Sequence, residues 1–120
     1  MTQKFTVYHN PRCSKSRAVV AMLEDRGQSF EVIRYLDEPP TIQTLTHLQN
    51  LIGCGVRDMM RTGEAVYKER NLGADHLSDE DLRAEIVENP ILLTRPIIAC
   101  GDKKAVIGRP LENVLALFQD

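Results

Sequence analysis

The chain has 120 residues, of which 42% are hydrophobic and 27% are charged, and its formal net charge is -2 at pH 7. This length suits one compact domain that buries roughly two-thirds of the surface of the unfolded chain. The slight acidic excess offers no general basic surface for nucleic acid or an anionic membrane, and no stretch approaches the roughly 20 apolar residues of a membrane span. We therefore expect a soluble, cytoplasmic protein that binds neither nucleic acid nor membrane.

The first third of the chain predicts a strand, a helix and a second strand. Residues 4–8 (KFTVY) are rich in β-branched and aromatic side chains, as strands are. From Ser14, apolar residues recur at helical spacing until Gly27 ends the pattern. Residues 30–36 (FEVIRYL) predict the second strand. Since such crossovers are right-handed, the two strands are expected to be parallel neighbours.

The middle of the chain predicts helices. Thr41 and Ser78 are suited to cap helices over residues 42–52 and 79–88, with shorter helical pieces between them. The chain shows neither an internal repeat nor a low-complexity linker. We therefore interpret residues 41–95 as a helical insertion within a single domain that spans residues 1–120.

The last third of the chain predicts a hairpin and a final helix. Residues 96–100 (PIIAC) and 105–107 (AVI) flank a Gly-Asp turn, which is typical of two antiparallel strands. Pro110 then suits the first turn of a helix. The chain is thus predicted to be an α/β protein with strands in both terminal thirds and helices between them.

Cys13 is the main candidate for a reactive residue, because it lies between the first predicted strand and its helix. Open α/β folds place ligands at this edge of the sheet. Unpaired N–H groups and the positive end of the helix dipole stabilise a thiolate there, and His9, Arg12 and Arg17 are close in sequence. A lone cysteine is more often a small buried apolar residue. Here the position and the basic neighbours favour a nucleophile whose pKa lies below the reference value of about 8.5.

Motif spacing excludes two cysteine chemistries. A phosphatase of the C-x5-R type requires an arginine where this chain has Val19, and a dithiol oxidoreductase requires a cysteine where it has Ser16. An external thiol must therefore complete any redox cycle at Cys13. Cys54 and Cys100 are interpreted as packing residues, although a relay through one of them stays open. The scattered cysteines and histidines predict no disulfide framework and no metal site.

Three arginines lie beside turns rather than on amphipathic surfaces: Arg61 in MRTGE, Arg95 in TRPII and Arg109 in IGRPL. If the fold brings these turns to Cys13, three forked guanidinium groups surround one thiolate. That arrangement suits a tetrahedral oxyanion.

Five segments together resemble the glutaredoxin-dependent arsenate reductase family. They are HNPRCSKSR (9–17), RYLDEPP (34–40), MRTGE (60–64), ENPILLTRPII (88–98) and IGRP (107–110). The likeness runs from about residue 5 to about residue 118. It implies a thioredoxin-like four-stranded mixed sheet flanked by helices, with the helical insertion between a βαβ half and a ββα half.

The resemblance also implies roles for individual residues. Cys13 matches the nucleophile of the family, His9 the histidine that lowers its pKa, and Ser16 a hydroxyl near the thiolate. The oxyanion-binding arginines match Arg61, Arg95 and Arg109. The implied reaction reduces arsenate to arsenite through a thiol–arsenate adduct on Cys13, with glutathione as co-substrate, glutaredoxin as partner and no bound cofactor or metal.

Two alternatives stay open from the sequence. Transcription regulators of the same architecture bind RNA polymerase and sense oxidants through C-x-x-C, but Ser16 removes the second thiol and Arg109 is typically lacking in those proteins. An oxidoreductase of the family that acts on another oxyanion or on a mixed disulfide is the other alternative.

Overall fold

A computed structural model describes residues 4–94 and 96–118. Its strands are β1 (Phe5–His9), β2 (Phe30–Arg34), β3 (Ile97–Cys100) and β4 (Lys104–Ile107). Its α-helices are α1 (Ser14–Asp25), α2 (Ile42–Ile52), α3 (Ala65–Glu69) and α4 (Asp79–Glu88). Short 3-10 helices cover Val56–Met59, Pro90–Leu92 and Leu111–Phe118.

The four strands form one mixed sheet in the order β2-β1-β3-β4. β1 pairs with β2 in parallel, with Phe5 opposite Phe30, and β3 is antiparallel to both β1 and β4. The predicted four-stranded mixed sheet is therefore confirmed. The final helix differs from the prediction in its winding, since Leu111–Phe118 is a 3-10 helix.

Contacts divide the chain into two units, which we call the sheet unit (Met1–Glu38 and Arg95–Asp120) and the helical unit (Pro39–Thr94). The core of the sheet unit lies between one face of the sheet, α1 and the C-terminal 3-10 helix. Its buried members are Phe5, Val7, Val19, Leu23, Ile98, Cys100, Val114 and Leu117. Because strand side chains alternate, Phe5, Val7 and His9 share the face of β1 that α1 covers.

The helical unit has well-capped helices. The Thr41 side chain accepts a hydrogen bond from the Thr44 backbone N–H, and Gly53 ends α2 in a left-handed conformation. Ser78 caps α4, so both predicted caps are confirmed. Arg57 donates to the Leu72 and Ala74 carbonyls at 2.6 and 2.8 Å. That a single domain spans the chain stays a prediction. Within residues 4–94 and 96–118, none of the helices has the length and apolar character needed to cross a membrane.

Candidate active site

The loop between β1 and α1 is held by Asn10. The Cys13 N–H donates to the Asn10 carbonyl at 2.9 Å, which closes a turn. The Asn10 side-chain oxygen accepts from the Arg12 N–H at 3.0 Å, and only 6% of Asn10 is exposed. An asparagine side chain that bonds the backbone two residues later is typical of a turn start. Asn10 thereby fixes the approach of the chain to Cys13.

Cys13 is the N-cap residue of α1, as the sequence predicted. Its carbonyl accepts the first helical hydrogen bond, from the Arg17 N–H at 3.0 Å. The helix has neither a side-chain hydrogen bond from its cap nor an acidic residue in its first turn. The positive end of the helix therefore lies beside Cys13, a residue that is only 9% exposed, with no acidic side chain to offset it.

Arg109 contacts this sulfur. Its Nη2 donates to Cys13 Sγ at 3.4 Å across 96 residues of sequence. A guanidinium at this distance stabilises the thiolate over the thiol. Of the three arginines proposed from the sequence, Arg109 is the one that lies in the described part of the sheet unit, and the fold places it against the candidate nucleophile.

Close packing at Gly108 sets the position of Arg109. A Cβ atom added to Gly108 would lie 2.9 Å from side-chain atoms of both Ile98 and Pro96, and 3.2 Å from Val19. The Gly108 N–H donates to the Pro96 carbonyl at 2.8 Å. Any larger residue at this position would force the side chains of Ile98, Pro96 or Val19 to shift. The next residue, Arg109, is thereby held at the start of α1.

Asn113 forms hydrogen bonds to the backbone of the turn that carries Arg109. Its side-chain amide donates to the Ile107 carbonyl at 2.9 Å and to the Arg109 carbonyl at 3.2 Å. The peptide bond between Arg109 and Pro110 is cis. The backbone on both sides of Arg109 is therefore bonded to fixed parts of the sheet unit.

Ser16 is fully buried in the first turn of α1. Its hydroxyl accepts a hydrogen bond from the Asn10 N–H at 3.4 Å. In the structure Ser16 thus ties α1 to the loop that carries Cys13. Direct action of the hydroxyl on the thiolate, which the resemblance implies, stays a prediction.

His9 lies at the end of β1 and lines a groove beside α1. Burial lowers the pKa of His9 below its ordinary value of 6.5, and the charges of Arg34 and Arg17 lower it further. Both causes disfavour the charged imidazolium form of His9. The resemblance implies that His9 lowers the pKa of Cys13, and this role stays a prediction. Among the described residues, Arg109 is a cation that contacts the sulfur directly.

The two other arginines are placed differently. Arg61 belongs to the helical unit, where its Nε donates to Glu64 at 2.9 Å and its backbone N–H donates to the Leu92 carbonyl at 2.7 Å. Arg95 lies outside the described residues. Their parts in an oxyanion site stay predictions.

The two remaining cysteines lack the features of Cys13. Burial raises the pKa of Cys54, and the nearby Asp58 carboxylate raises it further. Burial also raises the pKa of Cys100, which packs inside the core of the sheet unit. Both surroundings favour the thiol over the reactive thiolate. In residues 4–94 and 96–118, His, Cys, Asp and Glu form no group of three or more that could hold a metal ion.

Sequence reasoning missed three residues that position the site: Asn10, Gly108 and Asn113. The Asn-Pro pair at residues 10–11 is a turn signal that could have identified Asn10. The partners of Gly108 and Asn113 come from the packing of β3, β4 and α1, for which a single sequence carries no local signal.

Comparison with known proteins identifies the family. The ArsC family profile matches residues 8–117. An arsenate reductase from Neisseria meningitidis serogroup A is 46% identical over 113 residues, which cover 93% of this chain and 96% of that protein. YfgD, an uncharacterized protein from Escherichia coli, is 44% identical over 118 residues and 98% of each chain.

A solved structure agrees with this assignment. The arsenate reductase from Vibrio cholerae superposes with a TM-score of 0.93 at 44% identity and covers 98% of this chain and 99% of its own. This likeness confirms the predicted thioredoxin-like fold. Because the family profile spans nearly the whole chain and the relatives match it from end to end, the chain belongs to the ArsC family.

Proposed function

We propose that this protein reduces arsenate to arsenite at Cys13, with glutathione and glutaredoxin as reductants. The observation that carries the proposal is the 3.4 Å contact between Arg109 Nη2 and Cys13 Sγ at the uncapped start of α1. Such a contact favours the thiolate over the thiol and places a possible donor for an oxyanion next to it. The names of relatives such as the Neisseria meningitidis and Vibrio cholerae proteins point to arsenate as the substrate.

The first step forms a bond between sulfur and arsenic. The Cys13 thiolate attacks the arsenic of arsenate, an As–O bond breaks, and the oxygen leaves as water after protonation. Arg109 offsets the negative charge on the arsenate oxygens. Arg61 and Arg95 are proposed to share this task on the resemblance alone. The product is a thiol–arsenate adduct in which arsenic is still As(V).

The second step transfers two electrons to arsenic. The glutathione thiolate attacks Cys13 Sγ and forms a mixed disulfide, while the electron pair of the S–As bond passes to arsenic. Arsenite leaves as As(III). A glutaredoxin thiolate then takes the glutathionyl group and restores Cys13. A second protein is needed because Ser16 stands where a dithiol enzyme has its resolving cysteine.

The test is an arsenate reduction assay with the purified protein in which arsenate, glutathione and glutaredoxin are omitted one at a time. We expect arsenite to form only when all three are present. Turnover without glutaredoxin would contradict the proposed resolution step. Absence of turnover with all three components, while Cys13 titrates below the reference thiol pKa, would contradict arsenate as the substrate and favour another oxyanion.

A further inference from the structure

Two buried polar residues flank Cys13 in sequence. Tyrosines and cysteines aside, Asn10 and Ser16 are the polar residues that the described part of the chain buries, with 6% and 0% exposure. They are bonded to each other, because the Asn10 N–H donates to the Ser16 hydroxyl at 3.4 Å. Burial of a polar group is costly unless its hydrogen bonds are made. Each polar atom of Asn10 therefore needs a partner.

The side-chain amide nitrogen of Asn10 lacks one. The backbone carbonyl accepts from the Cys13 N–H at 2.9 Å, and Oδ1 accepts from the Arg12 N–H at 3.0 Å. Nδ2 carries two N–H groups and forms no hydrogen bond within residues 4–94 and 96–118. The amide cannot be turned around, because Nδ2 would then face the Arg12 N–H as a second donor. A donor left over at a buried residue calls for an explanation.

This amide nitrogen belongs to the turn that ends at the nucleophile. Nδ2 is bonded to the same carbon as Oδ1, which holds the Arg12 N–H. The next N–H along the chain, that of Cys13, is held by the Asn10 carbonyl. The Asn10 side chain therefore lies against the turn, and its two remaining donors lie close to the start of α1.

The start of α1 offers donors to a ligand. The N–H groups of residues 14–16 have no partner within the helix. Arg109 Nη2 lies 3.4 Å from Cys13 Sγ, and residues 10–23 contain no acidic side chain. A ligand bound here accepts hydrogen bonds and is favoured by negative charge, which is the chemistry of an oxyanion. Asn10 Nδ2 adds a neutral donor to this set.

We propose that Asn10 Nδ2 donates a hydrogen bond to the oxyanion that binds beside Cys13. The amide gives direction to the binding of a tetrahedral anion without adding charge, whereas Arg109 also favours the thiolate. Asn10 thus acts on the affinity for the anion, and Arg109 acts on both the anion and the pKa of Cys13. This inference rests on the proposed function for the reaction at Cys13 and adds a donor that recognises its substrate.

The first test follows Asn10 directly. The full-length protein is titrated with inorganic sulfate while the NMR signals of its side-chain amides are recorded. We expect the Asn10 amide pair to shift saturably, with the same dissociation constant as the backbone signals of Ser14 and Lys15. Loss of the pair in Asn10→Ser assigns it.

The second test separates a donor from a residue that only shapes the loop. Asn10→Ser removes the amide and keeps a side-chain oxygen that suits the Arg12 N–H. We expect it to weaken sulfate binding by about tenfold, as loss of a hydrogen bond to a charged group does. The pKa of Cys13, measured by thiolate absorbance, should stay unchanged. Asn50→Ser replaces an exposed asparagine of α2 and serves as the matched control.

The inference is overturned if the Asn10 amide pair does not shift, if the protein shows no saturable sulfate binding, or if Asn10→Ser binds sulfate as tightly as Asn50→Ser. Weaker binding together with a changed Cys13 pKa or a lower free energy of unfolding would also overturn it, because Asn10 would then act through the shape of the loop. The NMR titration decides the question even if Asn10→Ser does not fold. Since neither arsenate nor a thiol is added, these outcomes are independent of whether the protein reduces arsenate.

Discussion

The starts of α1 and α4 are built in opposite ways. At α4, the Ser78 hydroxyl accepts from the Asp81 N–H at 3.1 Å and the Asp81 carboxylate accepts from the Ser78 N–H at 3.0 Å. Three acidic residues occupy its first turn. At α1, Cys13 gives no side-chain cap, and the first turn contains Lys15 and Arg17 in place of acids.

We interpret the difference as one between a helix end built for stability and a helix end that suits the proposed chemistry at Cys13. Acids and hydroxyls at a helix start satisfy its N–H groups and its dipole, so α4 is stabilised by its own side chains. Cations at the same position are unfavourable. At α1 the N-cap residue Cys13 gives no side-chain hydrogen bond to the first turn, and its sulfur is contacted by Arg109. We infer that α1 gives up local stability in exchange for a stabilised thiolate.

The largest expected effect comes from Cys13→Ser. Loss of the nucleophile should lower arsenate reduction by at least about 10³-fold. A serine hydroxyl is a better N-cap, so the free energy of unfolding should rise by about 0.5–1 kcal/mol. Arsenite formation and urea denaturation measure the two effects. Cys54→Ser is the control and should keep full activity; an equal loss there would support a relay between cysteines.

Arg109→Gln should have the next largest effect. Without the guanidinium, the pKa of Cys13 should rise and sulfate binding should weaken by about tenfold or more, because a charge-assisted contact is lost. Thiolate absorbance and sulfate titration measure these changes. Lys68→Gln removes one positive charge from α3 of the helical unit as a control. Unchanged values in Arg109→Gln would contradict the role of Arg109.

Ser78→Ala tests the other side of the comparison. Removal of the cap should lower the free energy of unfolding by about 1 kcal/mol. Arsenate reduction should stay unchanged, since the helix is used for stability. Urea denaturation and the reduction assay are the measurements. A fall in arsenate reduction without a fall in the free energy of unfolding would contradict the interpretation that the start of α4 serves stability alone.

Lys15→Glu should have a smaller effect. Lys15 is exposed, and an acid in the first turn of α1 should raise the free energy of unfolding by about 0.3–1 kcal/mol at low salt. The same negative charge should raise the pKa of Cys13. Repeating both measurements in 0.5 M salt should reduce both changes through screening. A Lys15→Glu protein that is more stable but has a lower Cys13 pKa would contradict the proposed exchange of helix stability for a stabilised thiolate at the start of α1.

The smallest expected effect concerns His9. Its pKa lies below 6.5 in the folded chain, chiefly because of burial, so the unfolded chain takes up a proton first as the pH falls. Stability should therefore be full above pH 6.5 and decrease as the pH drops from there toward the folded pKa. Urea denaturation should show this decrease, and His9→Gln should reduce it. An NMR titration that places the folded pKa above 6.5 would contradict a neutral His9.

Much of the fold could be predicted because its signals are local. The β-branched run before Cys13, the stop at Gly27 and the caps at Thr41 and Ser78 each act over a few residues. The sequence did not predict that the last helix is a 3-10 helix rather than an α-helix. The apolar residues of Leu111–Phe118 recur at a spacing that both helix types accept.

The candidate site likewise has features that could be predicted from the sequence and features that depend on the tertiary structure. By itself the sequence determined that Cys13 begins a helix beside a basic loop and that no second thiol stands at position 16. The tertiary structure alone decided which cation meets the sulfur, since Arg109 reaches it through the close fit of Gly108 and the bonds of Asn113. It also decided that burial lowers the pKa of His9 and that His9 lines a groove along α1. These outcomes depend on burial and on contacts between distant segments, which residue spacing does not encode.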